Sequence, residues 1–596
     1  MWGINNSRFA APVPNSSACN DEETNDRYVN LTKLQKCFLQ RQSQELENMR
    51  ETSTRKLIDS ACSFGFTMGV RFLGAPAELI TRPINTIILV TYFSIIYGFL
   101  FWANIAFVIA NLIGLKKHLE KIIFKEHVAV HSPNLAVNVC NWMDRNILVG
   151  KEEFIQNSRE VLTGEVKNFH PVYHQTAGPE LSNLKLLFDR DVACSLLLMC
   201  ASVYERDPRF IKDALKCDKQ SSTTDRELWL LRSEQKIHRF ADSWGLKFIC
   251  VPDFRGLDGP FIGVFYKIDV EPDENPFAVI TVKGTSPDNF SEWMMDCACK
   301  FESASDFLNN GSAHHGFYNT LFPSKTNKLP ALPYGRIIDV VRLIVQEAHL
   351  DGSRQNKSLN LFVTGHSLGA GIAQLLYARL LETPSDLGKK IVLRDAYVFG
   401  TPRACDFKLA SRVDYNLNKS ANKGRQLWRI SNKASLIGDV VTRVPPGLAD
   451  QREIRSGLQE GSSLSYAAIG TRVDLLPNGK KRLLNPFSWF SWFSRHPTKY
   501  EIGDTLVGFE AEINSKTKIK YEMPPTSVLG SLRPFNIIGL TTGILTSFLP
   551  CIHDHFPACY LDSLAKMETE PFKRKGLYAQ LREARRQQAP NMDLRS

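Results

Sequence analysis

The sequence predicts an α/β fold with a mostly parallel central sheet, preceded by an N-terminal hydrophobic membrane-anchoring helical segment. Two observations support this expectation. From about Leu181 onward, short apolar runs typical of strands alternate with segments of helical periodicity, which favours a sheet covered by helices on both faces. Further upstream, Ile84–Leu115 contains no charged residue, whereas a membrane-spanning helix needs only about 20 apolar residues.

The predicted strands and helices follow one another through the middle of the chain. Strands are expected at Phe277–Val282, Leu359–Thr364, Ala396–Gly400 and Gln426–Ile430, and helices at Arg336–His349 and Ser367–Leu381. In the first of these helices, Ile337, Val340, Val341 and Ile344 recur at helical spacing. The second helix begins with small residues, a feature that matters for the turn in front of it.

The uncharged run Ile84–Leu115 has basic flanks, with Arg82 before it and Lys116 directly after it. Basic residues favour the cytosolic side of a membrane. Two arrangements are therefore open: a single tilted span with the Lys116 side cytosolic, or a hairpin near Gly98–Asn104 that leaves both flanks in the cytosol and also suits a lipid-droplet monolayer. A buried core helix is a third reading, disfavoured because so long a run without charge is rare in soluble proteins.

Composition and charge disfavour several classes of protein. The 596 residues carry a formal net charge of +11, but Lys and Arg are scattered and are not clustered on one element as in nucleic-acid-binding domains. We therefore expect no nucleic-acid partner; an anionic membrane surface or simple solvation explains the basic residues better. The 13 cysteines are irregularly spaced, so we expect reduced thiols, no metal and no cofactor. Met1–Asn30 lacks the apolar stretch of a secretory signal.

Gly365-His366-Ser367-Leu368-Gly369 matches the pattern G-x-S-x-G, and its context is more specific than the pattern alone. An apolar strand leads into it and a helix rich in small residues leads out, as expected for a strained turn that exposes the serine hydroxyl. Bulky residues at Gly365 or Gly369 would clash with the strand and the helix. Ser367 is therefore the candidate nucleophile, and the helix that follows points its first N–H groups toward the reacting centre.

Three ordered segments resemble the class 3 (fungal-type) lipase family. Thr364–Ala370 is similar to the nucleophile segment of the family. Val282–Ser286, followed by Trp293 and Asp296, is similar to its oxyanion strand and lid, and Asp439–Pro446 to its acid loop. The resemblance implies an α/β-hydrolase fold and serine-dependent hydrolysis of acyl esters. The hydrophobic N-terminal segment and a long insertion before the last histidines resemble, more weakly, the plant oil-body (acid) triacylglycerol lipase branch.

A serine nucleophile needs a histidine base and an orienting carboxylate, which follow it in the chain in the order acid, then histidine. Asp439 is the candidate acid, because it comes a short loop after the strand Gln426–Ile430. Asp395 and Asp406 are the rival carboxylates, and both come early in the chain for this role.

The candidate base is His555. Three histidines lie downstream of Asp439, and His555 is followed by a proline and then a tyrosine in the form His-x-Pro-x-x-Tyr, which resembles the plant branch. His553 is its closest rival, and His496 lies in an aromatic stretch and fits least well. The long separation between Asp439 and His555 implies an insertion.

The resemblance also implies an oxyanion hole and a lid. A tetrahedral oxyanion needs two preorganised N–H donors. One is expected from the amide of Leu368 and the other, by resemblance, from the amide of Thr285. Trp293 is the lid candidate, Lys283 stands where the family usually has arginine, and His366 is expected to be a packing or supporting residue and not the base.

These features predict a membrane-associated lipase acting on long-chain acyl esters. Triacylglycerol is the first expectation, at a lipid droplet or the endoplasmic reticulum with the catalytic domain facing the cytosol. The aromatic segment Pro486–Phe493 and the uncharged run Pro534–Cys551 fit contact with a lipid surface. A phospholipase A1, galactolipase or diacylglycerol lipase would use the same triad, and a soluble serine esterase or an inactive membrane-anchored scaffold are further alternatives. The oligomeric state is left open.

The chain is expected to comprise five parts. They are a polar, partly disordered N-terminal region at 1–60, a hydrophobic membrane or lipid-droplet anchor at 61–130, a mainly helical region at 131–270 that packs on the core, a lipase-like α/β-hydrolase domain at 271–566 with an insertion at 447–532, and a basic tail at 567–596.

Overall fold

The structure is a computed structural model. It describes residues 22–31, 36, 39–40, 152–164, 186–217, 223–251, 261–284, 301–323, 332–350, 352, 356–419, 425–433, 438–445, 466–477, 498–502, 511–514, 554–565 and 567. The expected anchor Ile84–Leu115, much of the 447–532 insertion and nearly all of the basic tail lie outside these residues. Within the described ranges, no helix combines the length and the apolar character needed to cross a membrane.

The described residues form strands and helices that we number in chain order. Strands β1 to β14 are Leu186–Asp189, Lys247–Cys250, Ile262–Lys267, Phe277–Val282, Phe301–Ser303, Ser312–His314, Leu359–His366, Ile391–Phe399, Cys405–Asp406, Leu427–Asn432, Tyr466–Ala467, Thr471–Pro477, Thr498–Ile502 and Ala511–Asn514. Helices α1 to α11 are Glu22–Asn30, Glu152–Thr163, Arg190–Ser202, Pro208–Lys216, Thr223–Ser243, Ser305–Leu308, His315–Leu321, Pro333–Glu347, Leu368–Glu382, Phe407–Lys419 and Pro557–Ala565.

An eight-stranded sheet forms the centre of the molecule, with the strand order β13-β12-β10-β8-β7-β4-β3-β2. The five inner strands from β4 to β12 run parallel to one another. The outer strands β13, β3 and β2 pair antiparallel. The predicted mostly parallel sheet is therefore confirmed.

The sheet begins earlier in the chain than expected. Residues 131–270 were expected to be mainly helical, and they do contribute α2 to α5. They also contribute β2 and β3, and β3 pairs with β4 along its whole length, from Ile262 opposite Val282 to Lys267 opposite Phe277. The expected boundary at residue 271 thus falls between two strands of the central sheet, the buried apolar strand β3 and its partner β4.

The sheet is buried on both faces, which explains the continuous apolar runs of its inner strands. Strand β4 shows the alternation clearly. Ala278, Ile280 and Val282 point into a core shared with α8 and α9, whereas Phe277 and Val279 point into a second core shared with α2, α3 and α11. Each such buried Val, Ile or Phe contributes about 1.5–3 kcal/mol relative to exposure. The two cores fix the inner strands, and hence their carboxyl ends, in position.

Two smaller sheets flank the centre. The order β11-β9-β6-β5 forms an antiparallel sheet that joins residues 301–314 to Cys405 and Tyr466. Strand β1 pairs parallel with β14, which belongs to the expected insertion. The residues directly after β1 form α3, all of whose residues are buried against the central sheet.

Candidate active site

Ser367 lies in the tight turn between β7 and α9. Its backbone has φ +60° and ψ −132°, a conformation that is uncommon for any residue other than glycine. Two hydrogen bonds hold the turn: the Ser367 N–H donates to the Phe399 carbonyl at 3.0 Å, and the Ala370 N–H donates to the Ser367 carbonyl at 2.9 Å. Such strain persists only where the surroundings enforce it, and it is a frequent mark of functional sites.

Three glycines make room for the turn. A Cβ on Gly365 would lie 2.5 Å from the Gly369 carbonyl oxygen, and a Cβ on Gly369 would overlap the Val282 carbonyl oxygen at the end of β4. A Cβ on Gly284 would lie 2.8 Å from the Cβ of Ser367. The spacing of glycines in the motif thus follows from the close approach of β4, β7 and α9.

Leu368, the first residue of α9, is buried next to Ser367. The first N–H groups of a helix have no partner within the helix and attract negative charge. The Leu368 amide therefore occupies the position expected for an oxyanion donor. The other predicted oxyanion residue, Thr285, and the lid candidate Trp293 lie outside the described residues.

Asp439 and His555 are in direct contact although 116 positions separate them in the chain. His555 Nδ1 lies 2.9 Å from Asp439 Oδ2. The Tyr560 hydroxyl donates to the same carboxylate oxygen at 2.5 Å, and the Val441 N–H donates to Asp439 Oδ1 at 2.9 Å. The carboxylate is fully buried, so these donors replace the water it has lost.

The net effect of these contacts keeps Asp439 charged. Burial by itself would raise the pKa of its carboxyl, but the His555 imidazole and the hydrogen bonds from His555, Tyr560 and Val441 outweigh burial and hold the pKa below its ordinary value of 3.8. The ionised Asp439 carboxylate accepts a hydrogen bond from the protonated Nδ1 of His555. That tautomer leaves the His555 Nε2 free to accept a proton.

Gly400, at the end of β8, borders the His555–Asp439 pair. Its φ is +57°, and a Cβ there would lie 2.7 Å from His555 Nδ1 and 2.8 Å from Asp439 Oδ2. In the sequence this glycine was only the last residue of the predicted strand Ala396–Gly400. The structure gives it a second role, because no larger residue leaves space for the pair.

The candidate residues meet at one edge of the sheet. Ser367 follows β7, Gly400 follows β8 and Asp439 comes after β10; these strands are neighbours and parallel, so their carboxyl ends lie side by side. Ligand sites of open α/β sheets lie at this edge. Within the described residues no hydrogen bond joins Ser367 Oγ to His555, and catalytic hydrogen bonds are often long or poorly aligned before substrate binds.

The rival carboxylates make other contacts. Asp395 accepts hydrogen bonds from the Gln426 N–H and the Trp428 indole, near the opposite end of β10. Asp406 accepts the Leu409 and Ser312 N–H groups and thereby links α10 to β6. The rival histidines, His553 and His496, lie outside the described residues.

His366 supports the site from behind. Its Nε2 lies 2.8 Å from the carbonyl oxygen of His555, and its Nδ1 lies 2.9 Å from the Tyr204 hydroxyl. Burial, and then the nearby His555, lower the pKa of His366 to about 3, so its ring is neutral. The sequence indicated His366 as a supporting residue. It gave no signal for Tyr204, which lies 162 positions upstream.

Comparisons with known proteins give a family match and several similar solved structures. Residues 279–448 match the family model described as Lipase (class 3). Similar solved structures include lipase II from Rhizopus niveus (15% identity, 48% of this chain and 80% of that chain, TM-score 0.28), the lipase from Rhizopus microsporus var. chinensis (17%, 46% and 77%, TM-score 0.27) and the Rhizomucor miehei lipase propeptide complex (19%, 40% and 60%, TM-score 0.26). A search of the curated proteins gives no match.

The family match runs from β4, through the Ser367 turn, to just beyond the cis peptide bond between Val444 and Pro445. It therefore contains the strained turn at Ser367 and the loop of Asp439. On this match residues 279–448 are similar to the class 3 lipases, and the chain is a carboxylic ester hydrolase with an α/β-hydrolase fold.

Proposed function

We propose that Ser367, His555 and Asp439 form a catalytic triad that hydrolyses long-chain acyl esters, with triacylglycerol as the preferred substrate class. The observation that carries the proposal is the 2.9 Å contact between His555 and the buried, ionised Asp439 at the sheet edge where the Ser367 turn ends. A neutral imidazole held by a charged carboxylate is the arrangement that activates a serine hydroxyl.

The proposed reaction begins when His555 Nε2 accepts the proton of the Ser367 hydroxyl as Oγ attacks the ester carbonyl. The Leu368 amide, together with the amide of Thr285, stabilises the negative oxygen of the tetrahedral intermediate. His555 then gives its proton to the departing alcohol, which leaves an acyl-Ser367 ester. A water molecule, deprotonated by His555, hydrolyses that ester and releases the fatty acid. Asp439 stays ionised throughout and stabilises the imidazolium.

The preference for lipid esters and the location are supported by the sequence around the described core. The uncharged run Ile84–Leu115 is long enough to anchor the chain in a bilayer or droplet monolayer, and the aromatic segment Pro486–Phe493 suits a lipid surface. In this proposal Trp293 belongs to a lid over the site, and the catalytic domain faces the cytosol at a lipid droplet or the endoplasmic reticulum.

Fatty-acid release by the purified full-length protein tests the proposal, with emulsified triacylglycerol and phospholipid vesicles as parallel substrates. Ser367→Ala should abolish release. Ser385→Ala, an exposed serine near the far end of α9, should leave it unchanged. Release mainly from phospholipid would keep the triad and favour a phospholipase A1. No release from either substrate by folded protein, together with no labelling of Ser367 by a fluorophosphonate, would contradict the proposal and favour an inactive scaffold.

A further inference from the structure

His366 lies next to the nucleophile, and both nitrogens of its ring contact protein atoms. Nε2 lies 2.8 Å from the backbone carbonyl oxygen of His555, and Nδ1 lies 2.9 Å from the Tyr204 hydroxyl. The His366 side chain is 2% exposed. Its ring also packs on the ring of His555, with centroids 4.6 Å apart.

The partners determine where the protons are. A carbonyl oxygen only accepts hydrogen bonds, so Nε2 of His366 must carry the proton that it donates to His555. In a neutral ring Nδ1 is then an acceptor, and the Tyr204 O–H donates to it. The pKa of His366, lowered to about 3 chiefly by burial, agrees with a neutral ring. The directions of both hydrogen bonds are thus fixed: Tyr204 donates to His366, and His366 donates to the main-chain carbonyl of His555. We call these two hydrogen bonds the relay.

The Tyr204 side chain is itself held in place by its surroundings, so it can fix the position of the His366 ring. It is 1% exposed and lies in the 3-10 turn Val203–Glu205 at the end of the fully buried helix α3. The Nζ of Lys283 lies 5.5 Å from the centre of its ring. A Cβ on Gly284 would overlap the Tyr204 hydroxyl, so the glycine beside the nucleophile also admits this side chain.

We propose that Tyr204 and His366 are positioning residues that hold the backbone of His555, so that its imidazole stays on Asp439 and beside Ser367. The inference rests on the proposed function, because His555 must be the base. His555 lies two residues before α11, and its carbonyl is attached through His366 to β7, the strand that leads to Ser367. The base and the nucleophile are thereby held to the same strand by a hydrogen bond that does not involve the reacting atoms.

The relay matters because the catalytic base must be placed precisely. Misplacement of a catalytic group by about 1 Å can lower a rate about 100-fold. Without the His366 N–H, the carbonyl of His555 loses this hydrogen bond, and the residues just before α11 lose this attachment to β7. Substrate binding is not affected directly, so the effect should appear in kcat and not in KM.

Three variants of the full-length protein test the relay. His366→Phe removes both hydrogen bonds while keeping a ring, and we expect kcat to fall by roughly 10- to 100-fold with KM within about twofold. His366→Gln places an amide N–H near the position of Nε2, so kcat should recover to within about threefold of wild type. Tyr204→Phe removes only the outer donor and should lower kcat by about three- to tenfold.

Fluorophosphonate labelling of Ser367 provides a readout that does not depend on ester binding, and its rate should fall in parallel with kcat. Thermal melting reports whether each variant folds. Wild-type kcat in folded His366→Phe, or no recovery in His366→Gln, would overturn the relay. If His366→Phe does not fold, unchanged kcat in Tyr204→Phe would overturn it. In all these cases the wild type keeps its Ser367-dependent turnover, whereas failure of the proposed function would show as no Ser367-dependent release at all.

Discussion

Two buried or partly buried aspartates lie near opposite ends of strand β10, Asp395 in the neighbouring strand β8 and Asp439 after β10, and their pKa values are shifted in opposite directions. Near the start of β10, Asp395 accepts the Gln426 N–H at 2.8 Å and the Trp428 indole N–H at 3.2 Å, and burial raises its pKa to about 6. After its end, Asp439 accepts hydrogen bonds from His555, Tyr560 and Val441, and its pKa lies below 3.8 although burial opposes this.

The difference shows that the neighbours of a carboxyl group, not its burial alone, decide the direction in which its pKa is shifted. Asp395 has neutral donors and a nearby carboxyl, Asp189, which raises its pKa further in spite of Arg394. Asp439 has three donors, one of them an imidazole that becomes cationic during the proposed reaction. The start of β10 thus lies beside a carboxyl group with a structural role, and its end leads to one suited to catalysis.

Replacing each aspartate by asparagine should give the largest difference in activity between the two ends of β10. Asp439→Asn removes the charge that holds the Nδ1 proton of His555, and we expect kcat to fall by about four powers of ten, since the wrong tautomer then becomes favourable. Asp395→Asn should change kcat by less than about threefold. Initial rates of fatty-acid release for both folded variants provide the measurement. Near-normal turnover in Asp439→Asn would refute its role as the acid.

Gly400 tests how closely the His555–Asp439 pair is confined. Gly400→Ala places a methyl group 2.7 Å from His555 Nδ1, and we expect kcat to fall by about 100-fold as the pair is displaced. Gly388→Ala is the matched control, because Gly388 also has a positive φ but nothing lies within 4 Å of its Cβ. That variant should lose only about 1 kcal/mol of stability from backbone strain and keep its activity. Equal activity in the two variants would contradict the confinement.

Tyr560 links Asp439 to the end of β10, since its hydroxyl donates to the carboxylate and accepts the Asn432 N–H at 3.1 Å. A hydrogen bond to the charged form lowers a pKa, so Tyr560→Phe should raise the pKa of Asp439. We expect kcat to fall by about tenfold, with the acidic limb of the pH–rate profile moved to higher pH. Tyr415→Phe, at an exposed tyrosine, should leave both unchanged. An unmoved acidic limb would show that the hydroxyl does not stabilise the carboxylate.

The sequence predicted the parts of the molecule that depend on local pattern. The strained turn at Ser367 is visible because glycines, an apolar strand and a helix surround it within a few residues. Four of the five inner parallel strands, β4, β7, β8 and β10, contain predicted apolar runs, whereas β12 carries Arg472 and Asp474 and was not predicted. Strand β3 was missed as part of the sheet, because its partner β4 is separated from it by a loop and pairing is not encoded in either run alone.

Long-range contacts around the site were less predictable. Tyr204 contacts His366 and Gly400 borders His555 because α3 packs on the sheet that contains β8. A tyrosine or a glycine carries no local sequence mark of such a contact. The pairing of Asp439 with His555 was suggested by chain order and by resemblance to the class 3 lipases. Its charge state depends on Tyr560 and Val441, whose contribution requires the three-dimensional arrangement.

The smallest predicted effect concerns stability and pH, where the two ends of β10 should act in opposite directions. The pKa of Asp395 is raised from 3.8 to about 6, so its contribution to stability is complete below 3.8 and is lost as the pH rises through about 6. The pKa of Asp439 is lowered, so its contribution is lost only as the pH falls below 3.8. Asp395→Asn should therefore flatten the change in Tm between pH 3.8 and about 6 by a few degrees.

Part of that slope should remain in Asp395→Asn, because burial also raises the pKa of Asp189 to about 6. Asp189 is also one of the groups that raise the pKa of Asp395, and its own transition should remain in the variant. Thermal melting of the wild type and the variant across this range measures both effects. A constant offset between the two curves, with no change in slope, would mean that Asp395 is already ionised at low pH and that the two ends of β10 do not differ as described.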